Sequence, residues 1–148
     1  MISFYYHDIV FKILDQAQLK SWIRAIAAEG NKEIESLSYV FCDDEYLLGI
    51  NKTHLNHDYY TDIITFDLSE NAVVLNAELY ISIPRIRENA QENHSTFADE
   101  LHRVMIHGVL HLLGFGDKSE EEAKEMRLRE NRALEARMFH VKQYRVFK

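Results

Sequence analysis

The feature that most constrains the fold is an apolar helical segment that carries two histidines four residues apart, His107 and His111. Positions i and i+4 lie on one face of an α-helix, so both imidazoles can point at the same spot. The other side chains between residues 104 and 113 are apolar, and an unpaired imidazole buried among them is costly. The pattern therefore predicts a buried helix whose two histidines share a polar partner.

The residues that follow this helix supply a third possible ligand. Gly114 can adopt the left-handed conformation that ends a helix and turns the chain, and Asp117 comes three residues later. Two histidine nitrogens and one carboxylate oxygen form a known zinc set that leaves a position for water. We therefore predict that His107, His111 and Asp117 bind one Zn2+ ion that activates water for hydrolysis. Another divalent metal is the open alternative, because affinity order does not decide occupancy in cells.

Three other interpretations of the two histidines must be weighed. Two helical histidines often serve only packing or solvation. A structural zinc ion normally has four protein ligands, whereas this segment offers three, and Cys42 is the only cysteine of the chain. A peptidase of the HExxH type needs a glutamate directly after its first histidine, and Gly108 stands there. The pattern thus favours a hydrolase of another kind, with action on peptides or small substrates as the alternative.

Length and composition indicate one folded domain over residues 1–148. Apolar residues make up 47% of the chain, and there are 8 Phe, 8 Tyr and 1 Trp, which is enough for a real core. A single cysteine excludes an intrachain disulfide and favours a reducing compartment. The N-terminus does not resemble a signal peptide, and no apolar run approaches the ~20 residues that span a bilayer. We expect a cytoplasmic protein without a membrane partner.

Charge is distributed unevenly along the chain. The formal net charge is −7, but residues 124–148 hold eight Lys and Arg against three Glu, which is +5 locally and leaves −12 on residues 1–123. A basic end on an acidic body can contact a polyanion such as RNA. An amphipathic helix with a solvated, mixed-charge face would have the same composition.

Hydrophobic periodicity and capping residues predict five helices and at least four strands. The strands are expected at Ile2–Tyr6, Leu37–Cys42, Asp62–Leu68 and Glu78–Ile83, with the tail at 139–148 as a candidate for another. The helices are expected at about Gln16–Glu29, from Asp43 or Asp44 to His54, Pro84–Asn93, from Ser95 or Thr96 to Leu113, and Ser119–Met138. Because no helix separates the third and fourth strands, we predict a mixed sheet in an α+β fold.

The histidine segment, HGVLHLLGFGD, is similar to the HGxLHLxGYDH signature of the YbeY family of bacterial endoribonucleases, the rRNA maturation factors. Thr61–Phe66 (TDIITF), ten residues after Asn51, resembles the family's TDVLSF strand, and Glu78–Ser82 (ELYIS) resembles its DIVIS strand. The resemblance spans roughly Ser38 to Glu135. It implies a zincin-like α+β fold and a zinc-dependent endoribonuclease specific for single strands.

The resemblance also implies a biological role. Family members mature the 3′ end of small-subunit ribosomal RNA and take part in ribosome quality control, which makes ribosomal RNA and the ribosome or its small subunit the expected partners. A non-catalytic, ribosome-associated zinc protein is the remaining alternative.

The chain departs from the family pattern at four places. The family's third histidine falls on Asp117, the aspartate before it on Gly116, an arginine before the TDVLSF strand on Leu55, and a Gly-Asp pair on Ala77-Glu78. The metal assignment is compatible with all four, although a carboxylate ligand adds negative charge and makes the metal a weaker Lewis acid. With Leu55 in place of arginine, any phosphate contact must come from another group.

No side chain stands out in the sequence as the general base. Asp62 and Glu78 are candidates because they flank the resembled strands, and each could equally cap a helix or pair with a charge. The loop residues His57 and Tyr59-Tyr60 could reach the cleft, where the tyrosines would stack on unpaired bases, or could serve the surface and the core. His102 should point away from the site and be solvated or contact another helix face.

Overall fold

The computed structural model describes residues 1–145, which form one domain with a four-stranded sheet and five helices. The strands are β1 (Ile2–Tyr6), β2 (Glu33–Cys42), β3 (Ile63–Asp67) and β4 (Val74–Ser82). The helices are α1 (Gln16–Glu29), α2 (Asp44–Leu55), α3 (Ile83–Glu92), α4 (Phe97–Leu112) and α5 (Glu120–Glu135). The predicted α+β class and the predicted number of helices are confirmed. No helix in this part of the chain has the length and apolar character needed to cross a membrane.

The sheet is mixed, as the sequence predicts. Its strand order is β1-β2-β4-β3, with β1, β2 and β4 parallel and β3 antiparallel to β4. Strand β3 is therefore an edge strand. Its residues Ile63, Ile64, Thr65 and Asp67 line the same cavity as His107 and His111, which places the edge of the sheet beside the two histidines.

Two strands begin earlier than the sequence predicts. Strand β2 starts at Glu33 rather than Leu37, and β4 starts at Val74 rather than Glu78, because these two ends pair with each other, Glu33 opposite Val74. The residues Glu33, Glu35 and Ser36 are exposed and polar, so this part of β2 has no hydrophobic pattern typical of a strand. It is a strand because its backbone pairs with β4.

The C-terminal helix ends earlier than predicted, at Glu135 rather than Met138. Arg137 donates from Nε to the Leu134 carbonyl at 2.9 Å and from Nη2 to Asp99 at 2.9 Å. These contacts direct the chain away from the axis of α5 after Glu135. The candidate strand in the tail does not form between residues 139 and 145, and residues 146–148 lie outside the described residues.

Helix α4 forms the centre of the core and packs very closely on the sheet at Gly108. A Cβ atom at this position would lie 2.4 Å from Leu79 Cδ2 and 2.9 Å from Ile63 Cδ1. Real Cβ atoms do not approach other atoms so closely, so the glycine allows the helix to sit directly on β3 and β4. The close packing carries His107 to the edge of the sheet.

Candidate metal centre

The structure brings together the three side chains that the sequence predicts as ligands. The Nε2 atom of His107 lies 3.4 Å from Asp117 Oδ2, and the Nε2 atom of His111 lies 3.6 Å from Asp117 Oδ1. One ligand atom from each residue lies within 4.8 Å of the others. Ligand atoms around a tetrahedral zinc ion stand roughly 3.3 Å apart. The donor types and their spacing therefore fit a single divalent ion.

The turn after α4 places the carboxylate. Gly114 has a φ of 105°, the left-handed region that favours glycine, and the Phe115 amide donates to the Leu110 carbonyl at 3.1 Å. The ring of Phe115 lies 3.8 Å from the guanidinium of Arg129 on α5. The predicted role of Gly114 is confirmed, because this anchored turn returns the chain to the histidines.

A buried carboxylate that the sequence did not reveal fixes the first histidine. Glu130 on α5 is 6% exposed, and its Oε2 lies 2.8 Å from His107 Nδ1. A proton on Nδ1 donates to Glu130 and leaves the Nε2 lone pair directed at the other ligands. Glu130 lies 23 residues from His107 on a different helix, so no local spacing points to it.

A cation balances the charge of this carboxylate. Arg103 Nη1 donates to Glu130 Oε1 at 2.9 Å, and Arg103 Nη2 donates to Asn131 at 2.8 Å. Burial alone would raise the pKa of Glu130, but hydrogen bonds from His107 and Arg103 outweigh it and hold the pKa below its ordinary value. Glu130 is therefore a charged acceptor, the partner that strengthens an imidazole as a ligand.

The ligands form one wall of a cleft of about 490 Å³. Helix α2, the loop that follows it and edge strand β3 form most of the rest of its lining, including Asn51 and Leu55 of α2, His57, Tyr59 and Asp62 of the loop, and Asp67 of β3. Asn51 is buried and donates from Nδ2 to the Tyr59 carbonyl at 2.9 Å, which orders the loop. The cleft is large enough for a small segment of a polymeric substrate.

The charge of the cleft is unusual for a site that would hold a polyanion. Asp62, Asp67 and Asp117 line it, whereas no Lys or Arg occurs among its described lining residues. Leu55, which replaces the arginine of the family pattern, is 40% exposed within it. A cation held by the ligand set would offset part of this negative charge.

Of the two candidate general bases, only Asp62 lies in the cleft. Burial raises the pKa of Asp62, although the nearby charge of His107 works against the rise. Its Oδ2 accepts a hydrogen bond from Asn89 Nδ2 at 3.1 Å. Glu78 lies in β4 outside the cleft lining, 3.5 Å from the hydroxyl of Tyr80.

The loop residues divide between cleft and surface. His57 and Tyr59 line the cleft, and their rings stack at 5.2 Å with the tyrosine hydroxyl 3.0 Å from His57 Nδ1. Tyr60 instead donates to Glu45 and lies under the guanidinium of Arg85. Only one member of the tyrosine pair can therefore contact a molecule in the cleft.

His102 points away from the site, as predicted, but it is not solvated. It is 1% exposed, and its Nδ1 accepts a hydrogen bond from Arg137 Nη1 at 2.8 Å. The rings of Trp22 and Phe139 lie on either side at 6.0 and 6.3 Å. The expectation of a contact with other chain segments is the correct one, and solvation is wrong.

Comparison with known proteins agrees with the resemblance seen in the sequence. The family described as Endoribonuclease YbeY matches residues 6–137. Endoribonuclease YbeY of Cytophaga hutchinsonii is 46% identical over 138 residues, which cover 93% of this chain and 96% of that protein. Endoribonuclease YbeY of Flavobacterium psychrophilum is 46% identical over 143 residues, 97% of this chain and 99% of its own length.

A solved structure shares the fold. The solution structure of TM1509 from Thermotoga maritima superposes with a TM-score of 0.63 at 26% identity and covers 91% of this chain and 87% of its own. The family match and the two relatives extend over nearly the whole domain, including the metal centre. The chain belongs to the endoribonuclease YbeY family.

Proposed function

We propose that the protein is a zinc-dependent endoribonuclease that hydrolyses phosphodiester bonds in single-stranded RNA. The observation that carries this proposal is the convergence of His107, His111 and Asp117 at the wall of a cleft, with Glu130 fixing the first imidazole. Family membership supports RNA as the substrate class, because the relatives are named endoribonucleases.

Hydrolysis needs a polarised phosphorus centre, a nucleophile and a place for a proton. A divalent ion held by the three ligands would polarise a phosphodiester oxygen and acidify water. Asp62 lies in the cleft with a raised pKa, and we assign it the role of accepting the proton of the attacking hydroxyl. The attacking group is water, which hydrolyses the bond directly, or the RNA 2′-hydroxyl, which forms a cyclic phosphate that water then opens. In either case a P–O bond breaks and the leaving oxygen gains a proton.

The residues of the chain would orient the strand through uncharged contacts. Leu55 cannot bind phosphate, whereas Thr61, Thr65 and Tyr59 offer polar groups in the cleft lining. The ring of Tyr59 is 55% exposed and provides a face for an unpaired base. This arrangement favours single strands, since a paired base cannot reach such a ring.

Peptide hydrolysis is the second candidate, and the packing of α4 argues against the HExxH type. A glutamate at residue 108 would collide with Leu79 and Ile63, so the general base of those peptidases has no room here.

For the biological role we propose maturation of the 3′ end of small-subunit ribosomal RNA and ribosome quality control in the cytoplasm. The resemblance to the family supports this role, and the one cysteine, Cys42, is free and buried.

Cleavage of a circular single-stranded RNA tests the reaction class, because only an endonuclease can open a circle. Zinc-loaded wild type should linearise the circle and leave double-stranded RNA and casein intact, whereas His111→Ala should leave all three substrates intact. Cleavage of casein alone would contradict the proposal, as would linearisation at the wild-type rate by the variant.

A further inference from the structure

A second cavity, of about 750 Å³, lies at the other end of α4 from the metal centre. Phe97, the first residue of α4, lines this second cavity, whereas His111, near the last, lines the cleft. At 1.5 Å per residue these two positions are about 21 Å apart. The second cavity is therefore separate from the proposed catalytic cleft, and the two share no described lining residue.

Aromatic rings form a wall of this cavity. Phe11 and Tyr144 stack with centroids 5.6 Å apart and an interplanar angle of 19°, and Phe97 meets Tyr144 edge-on at 5.1 Å. The Tyr144 hydroxyl accepts a hydrogen bond from the Leu14 amide at 2.9 Å, which fixes the C-terminal segment in place. These rings are only partly buried, so they offer a rigid apolar wall of the kind on which bases stack.

The charged side chains of the cavity are all basic. Lys12, Arg87 and Arg145 line it and are exposed, and its described lining residues include no Asp or Glu. The guanidinium of Arg87 lies 5.9 Å from the centroid of the Phe97 ring. Cations beside aromatic faces are the combination that single-stranded nucleic acids require, for phosphates and bases respectively.

The second cavity has the basic side chains that the described lining of the cleft lacks. The protein carries a net charge of −7, and the cleft contributes three aspartates and no described Lys or Arg. Most of the affinity of proteins for a phosphodiester chain comes from Lys and Arg. An RNA strand held only at the cleft would lack those contacts, whereas the second cavity supplies three.

We propose that the pocket formed by Lys12, Arg87, Arg145 and the rings of Phe11, Phe97 and Tyr144 is a second binding site for single-stranded RNA. It holds the strand by phosphate contacts and base stacking, about 21 Å from the metal centre along α4. The inference rests on the proposed function in one respect, that the bound strand is a substrate of the cleft.

Binding to metal-free protein tests the site without any need for cleavage. A variant with Arg87→Gln and Arg145→Gln is compared with a control carrying Arg24→Gln and Lys124→Gln, two exposed residues outside the lining of both cavities. Both variants lose two positive charges. In the first, the slope of log affinity for single-stranded RNA against log salt should fall by about 1.4, since each phosphate contact contributes ~0.7.

The control variant should keep the wild-type slope. Equal slopes for the two variants would overturn the proposal, because long-range charge would then explain the binding. Poly-glutamate of equal charge should bind the wild type roughly tenfold or more weakly than RNA, since it cannot stack. Equal binding would indicate an anion surface suited to acidic proteins and would also overturn the proposal.

Strand length separates this inference from the proposed function. With zinc-loaded protein, the Arg87/Arg145 variant should raise KM for long RNA and leave kcat unchanged. On oligonucleotides too short to span about 21 Å it should match the wild type. If wild type cleaves no RNA while the salt slopes still differ, the proposed function fails and the binding site stands. Cleavage with identical KM for long RNA in variant and wild type overturns the site alone.

Discussion

The two ring nitrogens of His107 have different partners. Its Nδ1 lies 2.8 Å from Glu130, and its Nε2 lies 3.4 Å from Asp117. Burial alone would lower the pKa of His107, but the hydrogen bond and charge of Glu130, with the charges of Asp117 and Asp62, raise it overall. The same carboxylates that attract a proton to this imidazole would attract a metal ion in its place.

Replacing Glu130 with glutamine tests the role of the buried carboxylate. The Glu130→Gln variant keeps the shape of the side chain but loses the charge that strengthens His107, so its zinc affinity should fall 10- to 100-fold. Competition with a chromogenic chelator measures this affinity directly. The control is Glu125→Gln, which alters an exposed residue of the same helix paired with Arg129 and should bind zinc like the wild type.

A zinc affinity within threefold of the wild type in Glu130→Gln would show that the carboxylate does not support the ligand. Far-ultraviolet circular dichroism of both variants checks that α5 remains folded. Since each variant removes one negative charge, a general charge effect would appear equally in the two.

The sequence predicts the three proposed metal ligands but not Glu130, which holds His107 in position. His107, His111 and Asp117 follow from helix geometry and one glycine turn, all within eleven residues. Glu130 lies on another helix, and only the packing of α5 on α4 brings it to His107. The spacing of residues along the chain predicts contacts within a helix or turn, but it does not predict contacts between helices.

At the scale of elements, the first residues of helices are predicted better than the first residues of strands. The side chains of Thr96 and Ser119 accept hydrogen bonds from the amides three residues later, as the capping signals predict. These signals are local. The first residues of β2 and β4 are strands only because Glu33 pairs with Val74 across the sheet, and this pairing leaves no pattern in either segment.

Substitution of Gly108 tests the close packing of α4 on the sheet. Gly108→Ala introduces a Cβ atom 2.4 Å from Leu79 Cδ2. Overpacking costs about 1–3 kcal/mol and outweighs the gain of about 0.5–1 kcal/mol in helix propensity, so the free energy of unfolding should fall. At Gly49 of α2 nothing lies within 4 Å of a Cβ atom. There the same change should raise the free energy by about 0.5–1 kcal/mol through helix propensity.

Urea unfolding measures both variants. The fluorescence of Trp22, the single tryptophan, is a suitable probe because Trp22 is buried and donates to the Ala133 carbonyl of α5 at 2.8 Å. A Gly108→Ala protein as stable as the wild type would contradict the packing, since the neighbouring side chains would then have free space.

The buried position of His102 on α4 also predicts a pH dependence of stability. Burial and then the charge of Arg137 lower the pKa of His102 to about 4, whereas the unfolded chain binds a proton near 6.5. Between these values the unfolded state holds more protons. Stability is therefore fully present above pH 6.5 and declines as pH falls toward 4, by roughly 3 kcal/mol.

Urea unfolding of metal-free protein at pH 7 and pH 5 measures this decline. His102→Gln retains an acceptor for Arg137 but does not titrate, so it should lose about half as much stability as the wild type, or less, between the two pH values. His54→Gln changes an exposed histidine and should leave the wild-type decline intact. An unaltered decline in His102→Gln would assign the effect to other groups.

At the scale of the whole molecule, the proposed catalytic cleft and the cluster of positive charge lie in different places. One end of α4 carries the proposed metal ligands in an acidic cleft, and the other end borders the basic aromatic pocket. The sequence shows a basic C-terminal region, and one of its residues, Arg145, lines this pocket. Lys12 and Arg87 join it from distant segments, so composition alone could not show where the positive charge collects.

The central claim is that the ligand set of α4 and its following turn binds the metal on which RNA cleavage depends. Titration of zinc into metal-free protein, with bound metal and cleavage of single-stranded RNA followed together, tests it most directly. Cleavage should rise with zinc and reach its maximum at one ion per chain, and His111→Ala and Asp117→Ala should lose both tight binding and cleavage. Full cleavage by metal-free wild type, or wild-type binding and cleavage in both variants, would contradict the account.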